Sequence, residues 1–196
     1  MIVISSLMSC GLGLQENFEY QESGYEIGTI TMSPYQWVMS NPDSAFDYLS
    51  VAIDHAGMRD HFETPGRTFF LITDGAWEGP TGIISRLGGA DSLAVTDLPV
   101  EPLRRVLLYH TIDAFVDQAA LPKEDTEYDF QTMLEGELGE MIIVRENLRY
   151  RFDINMSDRL PSTALGTRIN RHNYRFENGS VAHQTTTLLR YSEEAY

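Results

Sequence analysis

Lysine is almost missing from this chain: 13 of its 14 basic residues are arginine, and Lys123 stands alone. No basic residue of either kind precedes Arg59, and 29 acidic side chains leave a formal charge of −15. Affinity for nucleic acid comes mostly from Lys and Arg on phosphates, so no nucleic acid is expected among the partners. Cysteine is just as scarce. A single thiol, Cys10, excludes an internal disulfide and an all-thiolate metal site. No apolar run approaches the ~20 residues that cross a bilayer as a helix. What is present is 196 residues, 42% of them hydrophobic and 22% charged, close to globular averages. A chain of that size buries ~70% of its unfolded surface, enough for one domain with tails.

The only signal-like run is at the start. Met1 to Met8 is apolar apart from Ser5 and Ser6, and Leu7-Met8-Ser9-Cys10 resembles a bacterial lipobox. A secretory signal has a basic first region, which is missing here, so a longer signal is expected ahead of Met1. On this reading residues 1–9 are a signal remnant and Cys10 carries acyl chains that together hold the protein at a membrane. Residues 10–32 follow as an acidic, lipid-anchored tether with room for one short strand.

Helices come next. Ser33-Pro34-Tyr35-Gln36 is a helix start with a capping box, and Asn41-Pro42-Asp43-Ser44 ends that helix and opens another. Phe46, Leu49, Ile53 and Ala56 keep helical spacing, with Gly57 as the stop. A further turn is expected over Met58 to Phe62. Arg67 to Thr73 reads as a buried strand, and Gly82 to Leu87 as a short helix closed by Gly88-Gly89. Leu103 to about Ile112 is the clearest helix. Leu121 to Glu140 holds seven carboxylates and one base, expected as loops around a strand at Tyr128–Leu134.

Beyond that point the period falls to two. Leu148, Tyr150, Phe152 and Ile154 alternate with polar residues, as do His172, Tyr174 and Phe176. Asn178-Gly179 is a hairpin signal of the type I′ kind, and Val181 to Tyr191 the returning strand. Helices followed by strands give an α+β domain. No repeat or low-complexity tract interrupts it.

Four blocks in this order resemble a fasciclin-like domain. They are Ala52-Ile53-Asp54-His55-Ala56-Gly57-Met58, then Thr68 to Trp77 with Thr73-Asp74 at its centre, then Leu107-Leu108-Tyr109-His110, and last Asn178-Gly179-Ser180-Val181-Ala182-His183. The resemblance spans 33–191 and leaves 192–196 as a C-terminal tail. Trp77 stands where the family has Phe, Ile72 where it has Pro, and Gln184-Thr185 where it prefers Val/Ile-Asp. The resemblance implies two packed β-sheets forming a wedge, with helices along one side. It also implies protein interaction or adhesion, and a structural role for Thr73, Asp74, Tyr109, His110, Asn178, Gly179 and His183. Some animal members are linked to integrin through an Asp-Ile pair; Asn173-Tyr174 stands there in this chain, so that adhesion is not carried over.

Little in the residues suggests chemistry. No H-E-x-x-H, G-x-S-x-G or Walker-type loop occurs, and Gly11-Leu12-Gly13 follows no strand. His110 shares a helix face with Leu103, Val106 and Leu107, which makes it a hydrogen-bonded core imidazole, and His183 reads likewise as a strand residue near the core. Asp54-His55 and Asp60-His61 are adjacent on helices and project apart. Glu124, Asp125, Glu127 and Asp129 lack the spacing of a calcium loop and read as a solvated acidic stretch. No enzyme activity, cofactor or metal is expected.

Residues 145–190 run against the overall charge, with eight Arg and four acids. If their strands are neighbours, Arg149, Arg151, Arg171 and Arg175, with Tyr174, form a face for an acidic protein or an anionic glycan. The expected protein is a non-catalytic interaction and adhesion module, exported and lipid-anchored to the outer membrane at the cell surface. The alternative is an accessory lipoprotein of a Sus-type nutrient importer, binding glycan or docking on the transporter. Exposed Trp77 and Tyr174, able to stack on sugar rings, would favour it. A hydrolase is a distant third.

Overall fold

A reciprocal cap opens the first helix. In the computed structural model, which describes residues 28–41, 44–121, 126–145, 152–169 and 171–196, Ser33 Oγ accepts from Gln36 N–H and Gln36 Oε1 accepts from Ser33 N–H. With Pro34 in its first turn, α1 runs Pro34–Met39. Helix α2 (Asp47–His55) buries Leu49, Ala52 and Ile53. Gly57, at φ 64°, ends it, and Met58 N–H reaches back to the Ile53 carbonyl at 2.9 Å in a Schellman closure. Next come α3 (Arg59–Glu63), β1 (Thr68–Ile72) and α4 (Ile83–Gly88), the last closed by Gly89 at φ 77°.

Helix α5 spans Val100–Tyr109, earlier than the expected Leu103–Ile112. Pro102 lies in its first turn, where N–H groups have no intrahelical partner, so proline does not delay the start. The helix stops at Tyr109 because Thr111–Ile112 pairs with Thr68 and Phe69 as strand β2.

The remaining strands are β3 (Glu127–Gln131), β4 (Glu140–Arg145), β5 (Phe152–Ile154), β6 (Thr167–Ile169), β7 (Tyr174–Arg175) and β8 (Val181–Thr185). They build two four-stranded sheets, ordered β2-β1-β8-β7 and β3-β4-β5-β6. The second is antiparallel throughout, whereas β1 and β8 pair in parallel with Phe70 opposite His183. This is the α+β arrangement expected, with two sheets and five α-helices among the described residues. The last strand is shorter than the expected Val181–Tyr191, since the ladder with β1 ends at Thr185.

Every residue of β1 is buried, and its alternation feeds two cores. Phe69 and Leu71 join Trp37, Phe46, Ile53 and Leu103 in the helix-side core, while Phe70 joins Tyr109, Ile143, Phe152 and Ile154 in the other. A strand buried on both faces reads as the continuous T-F-F-L-I seen in the sequence, and each such side chain contributes ~1.5–3 kcal/mol.

Three boundaries differ from expectation. Ile30 bridges Phe176, with Ile30 N–H on the Arg175 carbonyl at 2.8 Å, so pairing to the domain begins before Ser33. At the other end, residues 192–196 are not a loose tail. Ala195 is buried and accepts from Arg105 Nε at 2.7 Å, and the Tyr196 hydroxyl bonds the Leu189 carbonyl. The Asn178-Gly179 hairpin is also a different turn from type I′. Only Gly179 (φ 81°) is left-handed, and Phe176 N–H bonds the Ser180 carbonyl across a three-residue loop. Asn178 keeps a negative φ because its side chain works locally, Oδ1 accepting from Ser180 N–H at 3.1 Å and Nδ2 reaching the Glu63 carbonyl. Residues 1–27, Cys10 among them, lie outside the described residues, as do Glu124, Asp125, Arg149 and Arg151.

Candidate functional site

Both motif histidines are fully occupied. His110 caps α5; its Nδ1–H donates to the Val106 carbonyl at 2.8 Å and its Nε2 accepts from Leu189 N–H at 3.1 Å. His183 does the same with the opposite tautomer. Its Nε2–H donates to the Val116 carbonyl at 2.9 Å, and Nδ1 accepts from Asn173 N–H at 3.3 Å. Burial disfavours the imidazolium and pushes both pKa values down to about 4. A neutral ring with both nitrogens engaged on the backbone has no lone pair or proton to give a substrate. His61 is held in like manner between Arg67 and Thr111, and burial, followed by the Arg67 charge, pushes its pKa down to about 4. The Asp54-His55 pair diverges as expected: Asp54 accepts from the Tyr35 hydroxyl, and His55 reaches the Leu98 carbonyl.

Thr73 and Asp74 tie β1 to its surroundings. Thr73 donates from both N–H and Oγ1 to the Thr185 carbonyl, at 2.9 and 3.2 Å. Asp74 Oδ1 accepts from Tyr48 N–H at 3.0 Å, and its own N–H donates to the Ala45 carbonyl. The residue before α2 is Phe46, which cannot cap, so a carboxylate 26 residues along the chain caps the helix instead. Replacing Asp74 by Ala is expected to cost about 1 kcal/mol in urea unfolding, and by Asn only a fraction of that, because an amide oxygen caps as well. An Asn variant as damaged as the Ala one would disprove the capping role.

Tyr109 bridges the two layers. Its hydroxyl donates to the Glu140 carbonyl at 2.7 Å and accepts from Asn155 Nδ2 at 2.7 Å. Burial raises its pKa, so the phenol stays protonated as the network needs. Asn155 (φ 52°) uses Oδ1 for Ile142 N–H, which makes it a central residue of the second core that the sequence did not single out.

A groove of about 400 Å³ opens beside the end of β8, lined by Ala45, Thr73, Arg168, Arg171, Gln184 and Thr186. Arg168 and Arg171 are exposed, and Arg168 faces Asp153 across the β5–β6 ladder at 3.3 Å. Gln184 is only 6% exposed, and its Nε2 has no hydrogen-bond partner among the described residues.

No family model and no curated protein matches this sequence. The fold does match a solved structure, a FAS1 domain pair from the insect cell adhesion molecule fasciclin I, with a TM-score of 0.60 at 14% identity. The match covers 85% of this chain and 53% of that one, so this chain spans about half of the two-domain neighbour. The chain folds as a fasciclin-like domain.

Within that FAS1 fold the motif residues are joints. Thr73, Asp74, Tyr109, His110 and His183 each bond an element distant in sequence. They do not converge on one cleft. Among the described residues no group of three His, Cys, Asp or Glu gathers as metal ligands, and no helix is long and apolar enough to cross a membrane.

Of the expected Arg-rich face, Arg171 and Arg175 are among the described residues, and Arg149 and Arg151 are not. β5, which follows Arg149 and Arg151, belongs to the second sheet, and β7 with Arg175 to the first. Arg175 pairs with the buried Asp117. Its charge is therefore balanced within the protein. Arg171 lines the same groove as Arg168, and the Thr167–Ile169 segment that carries Arg168 is too short to show as a strand in the sequence.

Neither expected stacking aromatic forms a free platform. Trp77 is 0% exposed and lies against Tyr48, while Tyr174 is half-buried with its ring 4.9 Å from Trp37. The signal against exposure was available: Trp77 occupies an apolar motif position that the resembled family fills with Phe.

Proposed function

We propose that this fasciclin-like protein is a non-catalytic interaction and adhesion module, exported and held at the outer membrane by lipid on Cys10. The FAS1 fold carries the reading, because it is the fold of a cell adhesion molecule. The saturation of His110 and His183 supports it, since the two most tempting general bases are spent on backbone groups. The lipobox-like Leu7-Met8-Ser9-Cys10 supports the anchor.

The test is to express the full chain from its own start and to follow both location and cell–cell aggregation. The expected result is acylated Cys10 in the outer-membrane fraction and aggregation that disappears on deletion. Recovery with an unmodified Met1 would refute the anchor, and unchanged aggregation on deletion would refute adhesion.

The Arg168–Arg171 groove favours a second reading, an accessory lipoprotein that binds glycan for an importer. Co-purification of an outer-membrane transporter from detergent-solubilised membranes would support it. Recovery of the protein alone would count against it.

A further inference from the structure

We propose that the outer edge of β3 is a docking site for an extended segment of a partner protein that alternates apolar residues with Lys or Arg. This names a partner chemistry for the interaction module above and rests on that reading.

Backbone direction makes the edge. Thr132 N–H bonds the Gly139 carbonyl at 2.9 Å, and bonding alternates along an antiparallel strand. Tyr128 and Phe130 therefore turn their peptide groups toward β4, whereas Glu127, Asp129 and Gln131 turn theirs away from it. Among the described residues no hydrogen bond reaches those outward N–H and C=O groups. The next outward residue, Met133, is already engaged, its N–H donating to the Thr111 carbonyl at 2.8 Å. The other sheet ends offer less. β2 and β7 are two residues long and are flanked by Thr132 and Ile30, and β6 has three residues. The open edge of β3 is thus a template on which a further strand adds, about 4.8 Å away.

Side chains decide what that strand carries. Asp129 and Gln131 are exposed and Glu127 half-buried on the outer face of the sheet, where Glu140 stands opposite Gln131. Arg159 meets both Glu127 and Asp129, at 3.3 and 2.9 Å, and its single charge leaves one of the two uncompensated. Glu140 is exposed, as are Glu135 and Glu137 in the connection from β3 to β4. None of these three has an ion-pair partner among the described residues. A Lys or Arg on the added strand meets this face with opposite charge. A groove of about 310 Å³, lined by Gln131, Glu140, Arg159 and Leu160 among others, takes its long stem. On the opposite face Tyr128 and Phe130 are half-buried at the rim of the second core, so apolar residues at alternate positions extend that core.

A second copy of the chain suits the edge less well. Two β3 strands pairing about a two-fold axis through Asp129 would set that carboxylate against itself. The exposed acids guard β3 against its own kind and leave it open to a basic strand.

The experiment titrates the full-length protein by calorimetry with a short, capped peptide that alternates valine and lysine. Comparison peptides carry glutamate in place of lysine, or methylated backbone nitrogens that cannot donate. Binding of the parent peptide alone is expected, weakening with added salt. Asp129→Pro, which removes one outward N–H and leaves the bonds to β4, should weaken it about tenfold, the loss of a hydrogen bond with its acceptor stranded. Asp129→Asn keeps that N–H and should weaken it only about threefold, as should Glu140→Gln. In the wild type, the Asp129 and Gln131 amide protons should shift and gain protection from exchange when peptide is added, a readout that needs no variant to fold. No binding, equal binding of the methylated peptide, or unmoved Asp129 and Gln131 amides overturns the assignment. Concentration-dependent dimers that Asp129→Pro dissolves also overturn it and give the edge to a second copy. Because the peptide is offered to protein in solution, its failure leaves the aggregation assay on cells to decide adhesion separately.

Discussion

Lowering the pH from 7 to 4 is expected to remove about 6 kcal/mol of folding stability, through His110 and His183 alone. Each imidazole titrates near 6.5 when unfolded and at about 4 when folded. One pKa unit corresponds to ~1.36 kcal/mol, so the two groups lose about 3 kcal/mol each by pH 4. The direction follows from proton counts. Between pH 6.5 and 4 the unfolded chain binds protons at these sites that the native state refuses, so stability falls as pH falls and is level above about 7. Burial is the leading cause in both, because an imidazolium at either site would leave water and face the acceptor role its second nitrogen fills. His61, depressed by burial and by the neighbouring Arg67, adds to the same slope.

Native domains are stable by ~5–15 kcal/mol, so such a loss takes a large share of the total. Urea unfolding at a series of pH values reads it directly. His183→Gln can still donate to Val116; it is expected to lower stability at pH 7 yet flatten about a third of the acid slope, with His110 and His61 keeping the rest. A slope unchanged by replacement of His110 and His183 together would place the acid sensitivity elsewhere. The consequence is concrete: the joints of α5 and β8 are neutral imidazoles, so the fold is least stable in acid.

The helical half was legible because its signals are local. Ser33 and Gln36 cap within one turn, Gly57 and Gly89 take left-handed backbone next to the helices they end, and Phe46, Leu49 and Ile53 sit on one buried face. The sheets were legible only in part. Met141-Ile142-Ile143-Val144 forms the centre of β4, and its apolar run is the signal of a buried strand although it is too short to separate from a helix by period. β2 and β6 are two and three residues long, too short for any period to show.

Sheet membership was hidden for a different reason. Alternation reports that one face of a strand is buried, not which strand lies beside it, so the strands of Phe152 and Tyr174 read alike in the sequence and belong to different sheets. The same gap hid the groove. Thr73 carries a motif position, Arg171 a charge and Gln184 a departure from the motif, but only the β1–β8 pairing and the return from β6 bring them together. Asp74 illustrates the limit most plainly. Its role as the cap of α2 depends on a contact 26 positions back, for which no local rule exists.

Trp77→Ala is expected to cost ~3–5 kcal/mol of stability, the usual penalty for emptying a buried aromatic site. A surface residue that stacked on sugar would behave in the opposite way, losing ligand affinity with little change in folding. The two roles are therefore separated by one variant measured twice. Trp77 is 0% exposed, and its ring lies 6.3 Å from that of Tyr48 at an interplanar angle of 26°. Its Nε1 has no partner among the described residues, so the indole is held for its bulk and not for its hydrogen bond. Trp77→Phe should therefore stay within about 1.5 kcal/mol of wild type, because the smaller ring leaves space but removes an unsatisfied buried donor. A Trp77→Ala protein that melts like wild type and loses a bound glycan would return Trp77 to the surface and make stacking the basis of recognition.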